Sequence, residues 1–214
     1  MEWIFLVFIL FGAIRERYRL IFLLPFWCVI SCSFEKSDSE ICFVGDSITY
    51  LWDLEYYFPG YYIHKHAVGG AKIQDIDNWD MSDCRGLPII FLMGTNNIGN
   101  ISVLDDDVDE KRKKFNEMLV QRVVSLEANP LWVISILPRN YGNREQENVN
   151  RNIELQNKLI ENSLDSLGGR YRFIDAFDCF LNEEYQINSM LFNDGLHLNE
   201  SGYEILTSNV LDRL

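Results

Sequence analysis

A three-layer α/β/α sandwich built on a five-stranded parallel sheet is the fold predicted for residues 40–214. Three observations predict it. Short β-branched or aromatic runs alternate with longer stretches of helical spacing, the pattern of strands joined by crossover helices. The run Pro88-Ile89-Ile90-Phe91-Leu92-Met93 is apolar at every position, as suits a central strand covered on both faces. The run Ile41-Cys42-Phe43-Val44 stops at Gly45-Asp46-Ser47, where a buried strand turns into a helix start.

The strands expected in order are Ile41–Val44, Tyr62–His66, Pro88–Met93, Leu131–Ile136 and Tyr171–Ile174. Between the third and fourth, Val108, Phe115, Met118, Leu119 and Leu126 recur at helical spacing. Asp105, Asp106, Asp107, Asp109 and Glu110 crowd the first turns of that helix, where the macrodipole favours acids, so the charge run reads as a solvated helix start. Between the fourth and fifth, Val149, Ile153, Ile160, Leu164 and Leu167 mark a helix ended by Gly168-Gly169. A last helix runs from about Glu200 to the C-terminus. Right-handed crossovers then place helices on both faces of the sheet.

The first 32 residues read differently. Trp3–Ile14 and Leu20–Ile30 are apolar, and Arg15–Arg19 between them carries three arginines and one glutamate. Neither run reaches the ~20 residues of a comfortable membrane span. The second run has the make-up of a secretory signal, and its end, Val29-Ile30-Ser31-Cys32, resembles a bacterial lipobox, which makes Cys32 a candidate for lipidation. Residues 33–39 would then be a polar tether. The alternative is an uncleaved anchor folding back through Arg15–Arg19. Both place residues 40–214 outside the cytoplasm, secreted or held to the membrane by an N-terminal lipid or anchor.

Bulk composition narrows the function. The chain has 214 residues, and those beyond the apolar N-terminus suffice for one domain with a real core. A net charge of −13 argues against nucleic acid as a partner and offers no basic patch for anionic lipid. The five cysteines, Cys28, Cys32, Cys42, Cys84 and Cys179, form no C-x-x-C pair, so neither a zinc site nor a dense disulfide framework is indicated. Cys42 reads as core, and Cys84 with Cys179 is the candidate disulfide in an oxidising compartment.

Ser47, at the carboxyl end of the first strand and the start of a helix, is a candidate nucleophile as well as a natural helix cap. An ester hydrolase needs a nucleophile, a base in reach of it, a group that holds the base's tautomer, and donors aimed at the oxyanion. Of the three histidines, His64 and His66 alternate along the second strand and read as packed or solvated strand residues. His197 lies in the turn-forming stretch Asn193-Asp194-Gly195-Leu196-His197-Leu198-Asn199, where a side chain can face a cleft. Asp194, three positions earlier, can reach the imidazole's other nitrogen across one tight loop. Asp46 points away from its neighbour and ties down the turn instead.

Gly45-Asp46-Ser47, Val68-Gly69-Gly70-Ala71, Gly94-Thr95-Asn96-Asn97 and Asp194-Gly195-Leu196-His197 resemble, in that order, the four signature blocks of the SGNH, or GDSL-type, esterase and lipase family. The resemblance spans residues 40–214 and implies a flavodoxin-like SGNH hydrolase fold. It assigns Ser47, Asp194 and His197 as the catalytic triad, and the Ser47 backbone N–H, the Gly70 backbone N–H and the Asn96 side chain as the oxyanion donors. Ile48, Lys65, Ala67 and Asn97 depart from the usual pattern; Lys65 and Ala67 bear on the hydrogen bonds inside the second loop. The Gly-Thr-Asn-Asn block is similar to the acetylhydrolase and carbohydrate acetylesterase branch. The expected activity is serine-dependent hydrolysis of a short acyl ester, an acetyl group above all, on a carbohydrate or similar polar alcohol, with no metal or organic cofactor. Trp52, Trp79, Tyr141 and Phe192 stand as an aromatic wall for such a substrate or as core. A lysophospholipase or thioesterase, and a non-catalytic surface glycan-binding protein, are the alternatives.

Overall fold

Five parallel strands carry the molecule, in the order β2-β1-β3-β4-β5: β1 (Glu40–Gly45), β2 (Tyr62–Ala67), β3 (Ile89–Leu92), β4 (Leu131–Ile134) and β5 (Tyr171–Ile174). The structure, a computed structural model, describes residues 39–99, 101, 105–140 and 146–214. The expected leader or anchor, Cys32, nearly all of the tether and Tyr141 lie outside the described residues. Six α-helices are described: α1 (Ser47–Leu51), α2 (Leu54–Tyr57), α3 (Thr95–Ile98), α4 (Val108–Ser125), α5 (Gln146–Leu167) and α6 (Glu200–Leu211). Among the described residues, no helix is long and apolar enough to cross a membrane.

Because side chains alternate along a strand, each buried strand serves two cores. Cys42, Val44, Ile89, Phe91, Leu131 and Val133 face one side, where Phe115, Leu119 and Val123 of α4 and Ile153, Ile160 and Leu164 of α5 cover them. Ile41, Phe43, Ile90, Leu92, Trp132, Ile134 and Ile174 face the other, under Trp52, Leu54 and Phe58 near α1 and α2 and Tyr203, Leu206 and Val210 of α6. This is the predicted three-layer sandwich. Two polar ties fix α6 to the Ser47 helix: the Trp52 indole N–H donates to Thr207 Oγ1 at 3.1 Å, and the Tyr203 hydroxyl donates to the Ile48 carbonyl at 2.7 Å.

Differences from the sequence reading have local causes. The fourth strand ends at Ile134, short of Ile136, because the Asn157 side chain on α5 bonds both the N–H and the C=O of Ile136, at 2.9 Å each, in place of a neighbouring strand. Leu167, expected on the buried face of α5, is exposed at the helix end. Trp52 and Phe192 are core residues, so neither walls a cleft; Trp79 packs against the α4 and α5 side of the core.

The disulfide expectation is corrected. Cys42, read as core, is bonded to Cys84, with Cα atoms 5.7 Å apart, and Cys179 is a free, exposed thiol. The Cys84-bearing turn, Ser82–Cys84, lies over the β1 face that carries Cys42, whereas Cys179 follows β5. Three strand spacings separate β1 from β5, roughly 14 Å at ~4.8 Å each, which is beyond disulfide reach.

Candidate active site

The strand order reverses direction between β1 and β3, and in open parallel sheets such a switch point opens a crevice at the carboxyl ends of the strands. Ser47 follows β1 and Asn96 follows β3, so the first and third sequence blocks flank that crevice. Ser47 is the first residue of α1, and Asp46 caps it: its Oδ1 accepts from the Ile48 N–H at 3.0 Å. The cap turns the Asp46 side chain inward, 1% exposed, and leaves Ser47 facing out, half-buried. Burial pushes the Asp46 carboxyl up to about 7, against the opposing pull of the Ile48 and Gly94 N–H groups and the His197 charge. The turn is tight enough to require glycine at position 45, where a Cβ would lie 1.9 Å from Thr49 Oγ1 and 2.9 Å from the Leu92 carbonyl.

His197 comes from the opposite direction, on the loop before α6. Its Nε2 lies 3.0 Å from Ser47 Oγ and its Nδ1 2.7 Å from Asp194 Oδ2. The other carboxylate oxygen of Asp194 accepts from the backbone N–H of His197 at 2.7 Å and of Leu196 at 3.0 Å, so one carboxylate shapes the loop and orients the ring. With Nδ1–H donating to Asp194, Nε2 is left to accept the Ser47 hydroxyl proton. Partial burial works against the Asp194 charge, but the His197 and Leu196 hydrogen bonds and the His197 charge outweigh it and hold the carboxyl below its usual range. The loop is fixed from both sides. Asn193 N–H donates to the His197 carbonyl at 2.8 Å, Asn140 N–H donates to the Gly195 carbonyl at 2.7 Å, and Asn199 caps α6.

The second block is tied to both strands. Val68 N–H donates to the Gly45 carbonyl at 3.2 Å, and Asn96 Nδ2 donates to the Ala71 carbonyl at 2.9 Å. Gly70 sits between these ties at φ +75°, a left-handed conformation that favours glycine. Among the described residues, no acceptor takes the backbone N–H of Ser47 or of Gly70. Two backbone donors and one side-chain amide therefore lie on the loops that follow β1, β2 and β3.

The structure brings Ser47, His197 and Asp194 of the sequence reading into contact, and beside them stand supports that the sequence reading did not identify. Lys65, noted only as a departure from the family pattern, donates to the Tyr50 and Trp52 carbonyls at 2.7 and 2.9 Å and so fastens the far end of the helix that Ser47 begins. Asn97, the other polar departure, accepts from the Ile73 N–H at 3.0 Å and donates to Gln74 at 3.0 Å, which holds the second loop against the third. Arg139 donates to the Thr95 carbonyl at 2.9 Å behind Asn96. A polar residue that departs from a family pattern beside a glycine loop is the signal for the first two; nothing local marks Arg139. His64 and His66 stand apart from the crevice chemistry and bond Asp83 instead.

No family model and no curated protein matches the chain. Solved structures do. A Streptococcus pneumonia protein provisionally named a platelet activating factor superposes with a TM-score of 0.64 at 24% identity, over 92% of this chain and 98% of its own. A GDSL-like lipase from Bacteroides thetaiotaomicron gives 0.60 at 17% identity, over 82% and 87%. An acetylxylan esterase from Geobacillus stearothermophilus gives 0.62 at 15% identity, over 83% and 95%. At these identities the likeness establishes the fold alone, a three-layer α/β/α sandwich on a parallel sheet.

Proposed function

We propose that this protein is a carboxylic ester hydrolase that uses Ser47 as nucleophile, and the contact of His197 Nε2 with Ser47 Oγ at 3.0 Å, backed by Asp194 at 2.7 Å, carries the reading. His197 takes the Ser47 proton as Oγ attacks the ester carbonyl, and Asp194 stabilises the imidazolium. The N–H groups of Ser47 and Gly70 and the Asn96 amide receive the developing oxyanion at the positively polarised start of α1. His197 then gives its proton to the leaving alcohol, and the acyl-serine is hydrolysed by a water that the same imidazole deprotonates.

The substrate class is a short acyl ester, acetyl above all, on a carbohydrate or similar polar alcohol. Two features support it: the imidazole is 25% and the Asp194 carboxylate 43% exposed, an open site that accepts a bulky polar alcohol, and an acetylxylan esterase shares the fold. The domain works outside the cytoplasm, a placement supported by the signal-like residues 20–32 and by the Cys42–Cys84 disulfide, a bond of oxidising compartments. The test is hydrolysis of p-nitrophenyl esters of increasing chain length and of acetylated sugars. Acetyl esters turned over fastest, with loss of activity in Ser47→Ala, is the expected result. Faster cleavage of long-chain esters favours the lysophospholipase or thioesterase alternative. A correctly folded wild-type protein inert on the whole panel favours a glycan-binding module.

A further inference from the structure

A second cavity, lined by none of the Ser47, Asp194 or His197 side chains, opens at the carboxyl ends of β4 and β5. Its volume is about 620 Å³, a size suited to a small ligand, and it lies between the first turns of α5 and the hairpin that follows β5. Phe177 and Leu181 supply its apolar part. Around them stand Asn150, Arg151, Glu154, Asp178, Glu184 and Gln186, and Tyr185 completes the lining.

Tyr185 is held there against the preference of its backbone. Leu181 and Ile187 pair as an antiparallel bridge, and Asn182 closes the turn between them. Asn182 donates its N–H to the Gln186 carbonyl at 2.7 Å, accepts the Tyr185 N–H on its carbonyl at 3.0 Å, and takes the Glu184 and Gln186 N–H groups on Oδ1 at 3.0 and 2.9 Å. In this turn Tyr185 has φ +58° and is 82% exposed. Glycine or asparagine takes that conformation at least cost, so neither folding nor packing calls for a large aromatic at the position. A fixed, exposed ring beside a polar cavity is a platform for the apolar C–H face of a sugar. Asn150 supplies a second, independent observation. It is 9% exposed, its Oδ1 accepts the Arg139 N–H at 2.9 Å, and among the described residues no acceptor takes its amide N–H groups. A buried amide nitrogen that lines a cavity without a partner is a donor available to a ligand.

The charge of the lining selects among sugars. Three carboxylates against one guanidinium repel a uronate, sulfate or phosphate and suit neutral hydroxyls, which donate to Glu154, Asp178 and Glu184 and accept from Arg151 and Asn150. The cavity is also tied to the His197 loop: Asn150 holds the N–H of Arg139, and the next residue, Asn140, donates its N–H to the Gly195 carbonyl at 2.7 Å. β5 lies two strand spacings from β3, roughly 10 Å at ~4.8 Å each, which a short oligosaccharide can span. We propose that this cavity is a glycan subsite that binds a neutral oligosaccharide, with one pyranose stacked on Tyr185, and so holds the chain whose acyl group is presented to Ser47. The fate of the acyl group rests on the ester-hydrolase reading, whereas the binding of the chain does not.

Isothermal titration of the full chain with unacetylated xylohexaose, cellohexaose and N-acetylchitohexaose tests the subsite without any hydrolysis. At least one of the three is expected to bind at a single site with a Kd below about 1 mM. Tyr185→Gly, which suits the positive φ and so keeps the turn, weakens that binding at least about tenfold. Asn150→Asp, which keeps an oxygen for the Arg139 N–H and removes the free donor, weakens it about fivefold or more. Tyr56→Ala, at an exposed tyrosine outside the cavity, binds as the wild type does. Circular dichroism establishes that each variant is folded. The proposal is overturned if none of the three chains binds, if Tyr185→Gly or Asn150→Asp binds at full strength, if Tyr56→Ala loses as much, or if hexagalacturonate binds as tightly as the neutral chains. A protein that binds as described but is inert on every ester removes the hydrolase reading alone, and an active esterase that binds none of the chains removes the subsite alone.

Discussion

Ser47 and Asp46 are neighbours with opposite fates, and the helix cap decides which is which. Capping buries the carboxylate and leaves the hydroxyl at the crevice, 3.0 Å from His197. Removing the hydroxyl in Ser47→Ala lowers kcat on a short acyl ester by roughly 10⁴-fold or more, with the fold intact by circular dichroism. Asp194→Asn, which leaves Nδ1 without an anionic partner, costs somewhat less, on the order of 10²–10⁴-fold. Retention of wild-type rate by either variant would remove the serine mechanism.

Asp46 makes a separate prediction about pH. Its folded carboxyl titrates at about 7 against an ordinary 3.8, so the folded state binds that proton more tightly than the unfolded state. The contribution to stability is therefore greatest below about pH 4, declines as pH rises towards 7, and is absent above it. At ~1.4 kcal/mol per pH unit the whole decline is on the order of 4 kcal/mol. Urea denaturation of wild type and Asp46→Asn at steps between pH 4 and pH 8 measures it. The wild type loses stability across that interval relative to the variant, and parallel curves would show that burial does not raise this carboxyl.

At the scale of elements, the site depends on how closely α1 approaches β1 and β3. A methyl at Gly45 meets Thr49 Oγ1 at 1.9 Å and the Leu92 carbonyl at 2.9 Å, and neither the carbonyl nor the helix it would push can yield without moving Ser47. Gly45→Ala is expected to lose about 1–3 kcal/mol of stability and to lower kcat more than it raises KM. Steady-state kinetics with thermal melts check both. The elements themselves were well marked in the sequence. β5 begins and ends where its aromatic and β-branched run does, and α6 starts at Glu200 because Asn199 caps it. Strand ends were less legible: the truncation of β4 at Ile134 is imposed by Asn157, a residue 23 positions further on.

Across the whole molecule, the Cys42–Cys84 bond closes a loop with a sequence separation of 42 and ties the turn over β1 to the sheet. A loop of that length is worth up to ~4 kcal/mol through restriction of the unfolded chain. Reduction should therefore lower the unfolding free energy from urea denaturation by an amount in that range, and Cys179→Ser should leave it unchanged. The same long-range geometry explains why the sequence favoured the wrong cysteine pair. Cys84 and Cys179 are plausible partners along the chain, but the strand order places three strand spacings between the regions that carry them.

By itself the sequence determined the alternation of strands and helices, and hence a parallel sheet with two covered faces, because strand and helix periodicities are local properties. It also marked the candidates for the proposed ester chemistry, since Ser47, Gly70, Asn96, Asp194 and His197 sit in short blocks that can be read residue by residue. Only the tertiary structure decided what those blocks do to one another. The Ser47–His197 contact spans 150 positions, the Cys42–Cys84 bond spans 42, and Lys65 on β2 and Arg139 on the loop after β4 support the site from elsewhere in the chain. Such pairings depend on strand order and helix packing, and these follow from how the two cores close over the sheet.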